Sequence, residues 1–225
     1  GLATSLGLGA MQIGSGMESL FGIPSTAALW VIIVVVVTTG AVISTSTGID
    51  RGIKFLSNLN IIVAALLMVL VFIVGPTLFI LRMFTNATGT YLQNIIQMSF
   101  HMDPTGTGTE GWIGAWTIFY WAWWIAWAPF VGTFIARISK GRTIRNFVIG
   151  VLLIPTGVSL VWFAVFGGSA LNIELFGAGG IADAVSNDSA AGFFAVLSTL
   201  PAAKVLIAVA MFSVAIFFIT SSDSG

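Results

Sequence analysis

Long stretches without charge alternate along this chain with short polar connectors. Residues 1–17 carry no charge but have glycine at 1, 7, 9, 14 and 16, which suits close backbone approach between membrane helices better than a helix in water. This segment closes near Glu18 and Gly22-Ile23-Pro24. Residues 26–46 hold a β-branched run from Val31 to Thr39. In water that run predicts a strand; within an uncharged stretch of about twenty residues it predicts a membrane helix. A connector over 48–58 carries Asp50, Arg51 and Lys54, and a third span is expected over 59–81, ending at Arg82. The next connector, 82–111, has loop chemistry at Asn86, Thr88, Thr90 and 103–109. Inside it, Leu92, Ile95, Ile96 and Phe100 recur at helical spacing, so a surface helix is expected over 91–102, with His101 as an exposed interfacial histidine at its end. Further spans follow at 112–136, at 146–170 with Pro155 inside, and at 205–222. The connector 174–200 is rich in Gly and Ala, and Phe193, Phe194, Val196 and Leu197 suggest short helices dipping toward the protein.

The expected fold is therefore an all-α membrane protein with six transmembrane helices in one transmembrane domain over 1–225. Composition agrees: hydrophobic residues make up 57% and charged residues 7%, against roughly 25% charge in soluble domains, and mean hydropathy is +1.06. A net charge of zero gives no electrostatic case for nucleic acid. With no cysteine, disulfides and thiolate metal sites are excluded, and the single His101 has no carboxylate pair beside it to make a metal site. No signal peptide is visible, and the start at Gly1 without Met and the stop at Gly225 beside an apolar helix read as an internal fragment of a longer protein. If connectors alternate sides, all eight basic residues except Arg82 and Lys204 fall in the connectors after the second and fourth spans. That places Arg51, Lys54, Arg137, Lys140, Arg142 and Arg145 in the cytoplasm, where they anchor the chain and can meet anionic lipid head groups.

The candidate chemistry begins with the aromatic helix. Trp116, Tyr120, Trp123, Trp124 and Trp127 fall at i, i+4, i+7, i+8 and i+11, a single helical stripe. Two readings stand. The rings are aromatic packing or an interfacial belt, or they hold a quaternary ammonium, a cation with no N–H to donate that a ring face attracts. A belt concentrates Trp near the end of a span, whereas this stripe runs about three turns into one.

No Asp, Glu, Lys or Arg lies at the centre of any expected span, which argues against a carboxylate proton relay and a voltage sensor. Ion coupling then falls to hydroxyls and freed carbonyls. The Phe217 carbonyl and the Thr220 and Ser221 hydroxyls share one helix face and form half of a small hard-cation site. The competing reading is that these hydroxyls bond the carbonyls of their own preceding turn. A channel calls for a continuous polar stripe, and a membrane enzyme for a nucleophile, base or metal grouping; neither is visible. A non-transport structural subunit, with the stripe as core packing, stays open.

The stretch FYWAWWIAWAPFVGTFIARISKGRTIRNFVIGVLLIPTGVSLVWFAVFGG, Phe119 to Gly168, resembles the signature region of the betaine/choline/carnitine transporter family (BCCT). GLATSLGLGAMQIG at the start and FFITSSDSG at the end resemble it too, so the likeness covers essentially the whole chain. The resemblance implies twelve spans around a ten-helix inverted-repeat core of the sodium-symporter kind, of which this chain carries the family's spans five to ten. It implies that Trp123, Trp124 and Trp127 line a trimethylammonium cage and that Phe119 closes the pathway around substrate. It also implies that the Phe217 carbonyl, Thr220 and Ser221 are part of a Na⁺ site, with Thr4, Ser5 and Phe130 as looser candidates for a second cation site. The complementary halves of cage and ion site belong to spans outside this chain.

The implied function is not enzymatic. It is uptake of a compatible solute such as glycine betaine, choline or carnitine, Na⁺-coupled, by alternating access in the cell membrane. Proton coupling and sodium-independent exchange are the alternatives within the family. Na⁺ is the coupling ion, no other cofactor is implied, and a homotrimer in the lipid bilayer is the implied assembly. The absence of a basic residue before Asp50 and the retention of both hydroxyls near 220 favour sodium.

Overall fold

A computed structural model of the chain describes residues 2–47, 50–105 and 110–223. Among these there is no strand, and Val31 to Thr39 is helical throughout. The helices are α1 (Leu2–Phe21), α2 (Ala27–Thr47), α3 (Asp50–Val74) and α4 (Thr77–Ser99), then α5 (residues 110–138), α6 (Ile144–Phe176), α7 (Ile181–Asn187), α8 (Ala191–Ser198) and α9 (Ala203–Asp223). Among the described residues, four stretches are long and apolar enough to cross a membrane: Ser57–Val74, Gly111–Ile138, Ile144–Phe176 and Ala203–Thr220. Within α2, Ala27–Ile43 is a further apolar stretch. The first expected span, 1–17, is helical as α1, but its many Gly, Ser and Thr residues keep it outside that apolar class.

Helix boundaries depart from expectation in the middle of the chain. The span expected over 59–81 stops at Val74, because Pro76 has no N–H and its ring disfavours helical geometry at the residue before it. The break is sealed locally: Gly75 N–H donates to Val71 O at 2.8 Å, and the Thr77 hydroxyl reaches Phe72 O at 2.7 Å. A side chain at Gly75 would meet Val71 O at 2.5 Å, so glycine is required there. The helix then restarts as α4, and the surface helix expected over 91–102 is the second half of this longer element, which ends at Ser99. In α6, a wide π turn over Ile149–Leu153 directly precedes Pro155, and a second lies at Phe163–Gly167. A proline inside a helix leaves the carbonyl four residues back without its donor, and a wide turn accommodates the ring there. Thr143 caps the start of α6 by accepting from Asn146 N–H at 3.3 Å.

The chain forms two compact units. One comprises residues 84–161, with the second half of α4, α5 and the first half of α6. Its α4 and α5 are joined where Trp121 Nε1 donates to Ser99 O at 3.0 Å and the ring of Trp121 lies 6.1 Å from Phe100. His101 is exposed and meets the edge of Trp112 at 5.8 Å.

The other unit comprises residues 2–83 and those from 162 onward. Here α1, α2, α3 and α9 pack side by side around two apolar clusters. One centres on Val71, Ile80, Phe194 and Leu197, the other on Ala10, Ile13, Ile33 and Val37. Glycines bring α1 close to its neighbours: a Cβ at Gly9 would lie 2.2 Å from the Phe218 ring, and one at Gly16 2.8 Å from Phe194. The short helix α8 is the expected dipping segment, with Phe194, Val196 and Leu197 fully buried. Its entry is fixed by Asp188, whose carboxylate accepts from Ala190 N–H at 2.9 Å and from the Ser15 hydroxyl. Similarly, Glu174 accepts from the N–H groups of Ile181 and Ala182 at 2.8 and 3.2 Å, capping α7.

Candidate functional site

The aromatic stripe forms in α5 as helical spacing dictates, because residues three and four apart stand over one another. The rings touch in a chain. Trp116 and Tyr120 are stacked at 5.8 Å with planes 4° apart, Tyr120 meets Trp123 at 5.8 Å, Trp123 meets Trp127 at 6.4 Å, and Trp127 meets Trp124 at 5.4 Å. Phe119 closes on the same group, 5.7 Å from Trp123. All four residues singled out for the substrate cage thus stand in one contiguous set. Trp123 and Trp127 are half-buried, while Trp124 presents 55% of its surface. The set lies in the middle of Gly111–Ile138, away from both ends, where a belt of interfacial rings does not belong.

Trp121 lies off the stripe and serves the contact with Ser99, so ring density alone would have overcounted the site. A wide turn over Gly114–Ile118, which contains Trp116, precedes Phe119 and the other rings, and Pro129 follows them within the helix, so the ordinary hydrogen-bond ladder is interrupted on both sides of Phe119–Trp127. Among the described residues, the buried side-chain donors left without a partner are Trp123 Nε1 and Trp127 Nε1. An unmet indole N–H in a low-dielectric setting is costly, and a ligand oxygen would relieve it. Ring faces for a cation and N–H donors for an oxygen therefore occur on the same two side chains.

At the end of α9, Thr220 Oγ1 donates to Ile216 O at 3.0 Å and to Phe217 O at 3.1 Å. The back-bonded arrangement weighed from the sequence is thus present, and it brings the Thr220 hydroxyl and the Phe217 carbonyl together. A hydroxyl that donates its proton retains oxygen lone pairs with which to ligate a cation. Ser221 follows in the same helix; its side chain is outside the described set. Thr4 and Ser5 lie half-buried in α1. Phe130 belongs to the other unit, where its carbonyl accepts from the Thr133 hydroxyl at 2.7 Å.

The sequence reading missed a polar pair in the membrane-spanning part of the second unit. Ser213 in α9 donates to Asn60 in α3, and the pair lines a cavity with Gln12 of α1. The available signal was Asn60 itself, the second of two asparagines, with Asn58, at the head of an apolar run.

A profile of the BCCT, betaine/carnitine/choline family transporters, matches residues 1–225. The chain is 46% identical over 224 residues to the glycine betaine transporter OpuD of Bacillus subtilis, an alignment covering 100% of this chain and 43% of that protein. It is 43% identical over 226 residues to the glycine betaine transporter of Acinetobacter baylyi, covering 100% of this chain and 34% of the relative. With the ectoine/hydroxyectoine transporter of Virgibacillus pantothenticus, identity is 44% over 224 residues, covering 100% of this chain and 44% of the relative. The chain spans less than half the length of these relatives.

Proposed function

The chain belongs to the betaine/carnitine/choline family of transporters, and we propose that the protein carries a small compatible solute with a methylated or otherwise alkylated ammonium group across the cell membrane by Na⁺-coupled symport. The observation that carries this reading is the mid-helix set of Phe119, Trp123, Trp124 and Trp127 with its two buried, unpartnered indole N–H groups. Each cation–π contact contributes roughly 0.5–2 kcal/mol. Three or four rings therefore supply workable affinity with no buried carboxylate, which would also attract Na⁺ or a lysine. Glycine betaine and ectoine, named for the relatives, each join a cationic nitrogen centre to a carboxylate. The ring faces suit the first group and the indole donors the second.

Sodium enters through the Thr220 hydroxyl and the Phe217 carbonyl, with Ser221 beside them in sequence. A bound Na⁺ would hold the end of α9 against further oxygen ligands and bias the protein toward one side of the alternating-access cycle.

The test is uptake of labelled glycine betaine by the full-length protein in proteoliposomes, with and without a Na⁺ gradient. Uptake that requires Na⁺ and falls in Trp124→Leu supports the reading. Uptake indifferent to Na⁺ moves the coupling to protons or exchange, and no uptake of any alkylated ammonium solute overturns the function.

A further inference from the structure

Thr156, Ser169 and Thr220 each donate a hydroxyl to the carbonyl four residues back in their own helix. That is the ordinary outcome for a hydroxyl inside an apolar helix. Ser213 departs from it and donates to Asn60 Oδ1, across the boundary between α9 and α3. Asn60 is more than nine-tenths buried, and both residues lie inside stretches apolar enough to span a membrane, Ser57–Val74 and Ala203–Thr220. Polar groups at such depth are costly unless they meet, so α3 and α9 are favoured in the register that joins these two.

The sequence of α9 makes this bond matter for its rotation. From Val205 to Ile219 every residue is apolar except Ser213. Apolar faces give a helix in lipid little preference for which way it turns, whereas a hydrogen bond has a narrow geometry. On another side of α9, about 140° round from Ser213 at 100° per residue, the Phe218 ring fills the space left by Gly9 of α1. The helix is thus held between an apolar fit to α1 and a polar tether to α3.

The tether lies in line with the ion half-site. Phe217 and Thr220 follow Ser213 by four and seven residues, so the three share one face. Thr220 stands about 10.5 Å from Ser213 along the axis, at 1.5 Å per residue. At that distance Ser213 does not ligate the same ion. Two turns of helix instead carry any rotation at Ser213 to the Thr220 hydroxyl and the Phe217 carbonyl, which meet at 3.1 Å. A binding site needs its groups held within about 0.5 Å and 10–20° of the productive geometry. Groups that orient ligands without touching the ion supply that control.

We infer that Asn60 and Ser213 are positioning residues, whose hydrogen bond sets the rotation and height of α9 and so presents the Phe217 carbonyl and the Thr220 hydroxyl to the coupling ion. The inference rests on the reading that Na⁺ binds there, and it extends the ion site to a residue of α3.

The experiment measures uptake of labelled glycine betaine by the full-length protein in proteoliposomes over a range of Na⁺ concentrations, with thermal midpoints followed by size exclusion. Ser213→Ala and Asn60→Leu each remove one end of the bond, the combined variant strands no polar group, and Ser213→Thr keeps the hydroxyl. Each single variant should raise the Na⁺ concentration for half-maximal uptake about ten-fold, the lower end of the effect of groups that orient metal ligands. Substrate affinity at saturating Na⁺ should change much less. The combined variant should match the singles, because the same bond is lost in all three, and Ser213→Thr should stay near the unmodified protein. Thr220→Val is the control, since it removes a ligand directly. A shift in Thr220→Val with none in the folded Asn60 and Ser213 variants overturns this inference and leaves Na⁺ coupling standing. The inference also falls if thermal midpoints drop while Na⁺ dependence is unaltered, or if the combined effect equals the product of the two singles. Uptake indifferent to Na⁺ in the unmodified protein overturns the coupling reading and this inference together.

Discussion

Replacing Gly9 by Ala tests how closely α1 and α9 are fitted. The added Cβ would lie 2.2, 2.3 and 2.4 Å from three carbons at the far edge of the Phe218 ring. Carbon atoms in contact prefer about 3.5–4.0 Å, so the ring or the helix must retreat by roughly 1.5 Å. Overpacking of this kind costs about 1–3 kcal/mol. Against it stands the helix propensity gained in going from Gly to Ala, about 1 kcal/mol. Gly7 on the same helix has no atom within 4 Å of its virtual Cβ and receives only the gain. Gly9→Ala should therefore be less stable than Gly7→Ala by about 1–3 kcal/mol, which at about 2–4 °C per kcal/mol for a chain this size is a gap of roughly 2–12 °C. The assay is thermal unfolding of both variants of the full-length protein in detergent, followed by size exclusion. Phe218→Leu removes the three clashing carbons, so the Gly9→Ala penalty should largely vanish in that background, a direct reading of the pair's coupling. Equal midpoints for the two glycine variants, or a penalty that survives Phe218→Leu, would refute the reasoning.

Other outcomes follow from the same geometry. Trp124→Leu or Trp127→Leu should lower the affinity for a trimethylammonium solute about ten-fold, a loss of roughly 1–2 kcal/mol, read from competition binding; unchanged affinity in folded protein returns the rings to packing. Thr220→Val should raise the Na⁺ concentration for half-maximal uptake and change substrate affinity at saturating Na⁺ much less, whereas a packing role lowers yield without altering Na⁺ dependence. Glu174→Ala should leave the first N–H groups of α7 without their acceptor and destabilise that helix by about 1 kcal/mol, seen as faster hydrogen exchange over 181–187.

Much of this fold is legible in the sequence because helices in lipid must satisfy their own backbone, which turns uncharged length into secondary structure. The contact order of the ring set is legible for the same reason: spacing of three and four fixes which rings meet, and Trp123, Trp124 and Trp127 do meet. The back-bonded Thr220 was one of two stated alternatives, each compatible with the same spacing. Pro76 carries the signal of the break, which the expectation of one continuous span over 59–81, resting on the apolar run around it, does not use. The cavity around Asn60 was not readable. It depends on which faces of α1, α3 and α9 meet, and no local pattern in any one of them specifies its partners.

The helix α8 bears on how the protein is made. With eight residues it is about 12 Å long at 1.5 Å per residue, far short of the roughly 30 Å of hydrocarbon it would need to cross. Yet it contributes Phe194 and Leu197 to the most deeply buried cluster, in company with Leu206 and Ile207 from a helix synthesised after it. A segment too short to be threaded through the bilayer as a span has to emerge with its loop and settle into place only once α9 has been inserted. Until α9 is in place its phenylalanines have no such cover, and in the folded chain the Asp188 carboxylate that meets Ser15 of α1 ties the entry of α8 to the helices around it.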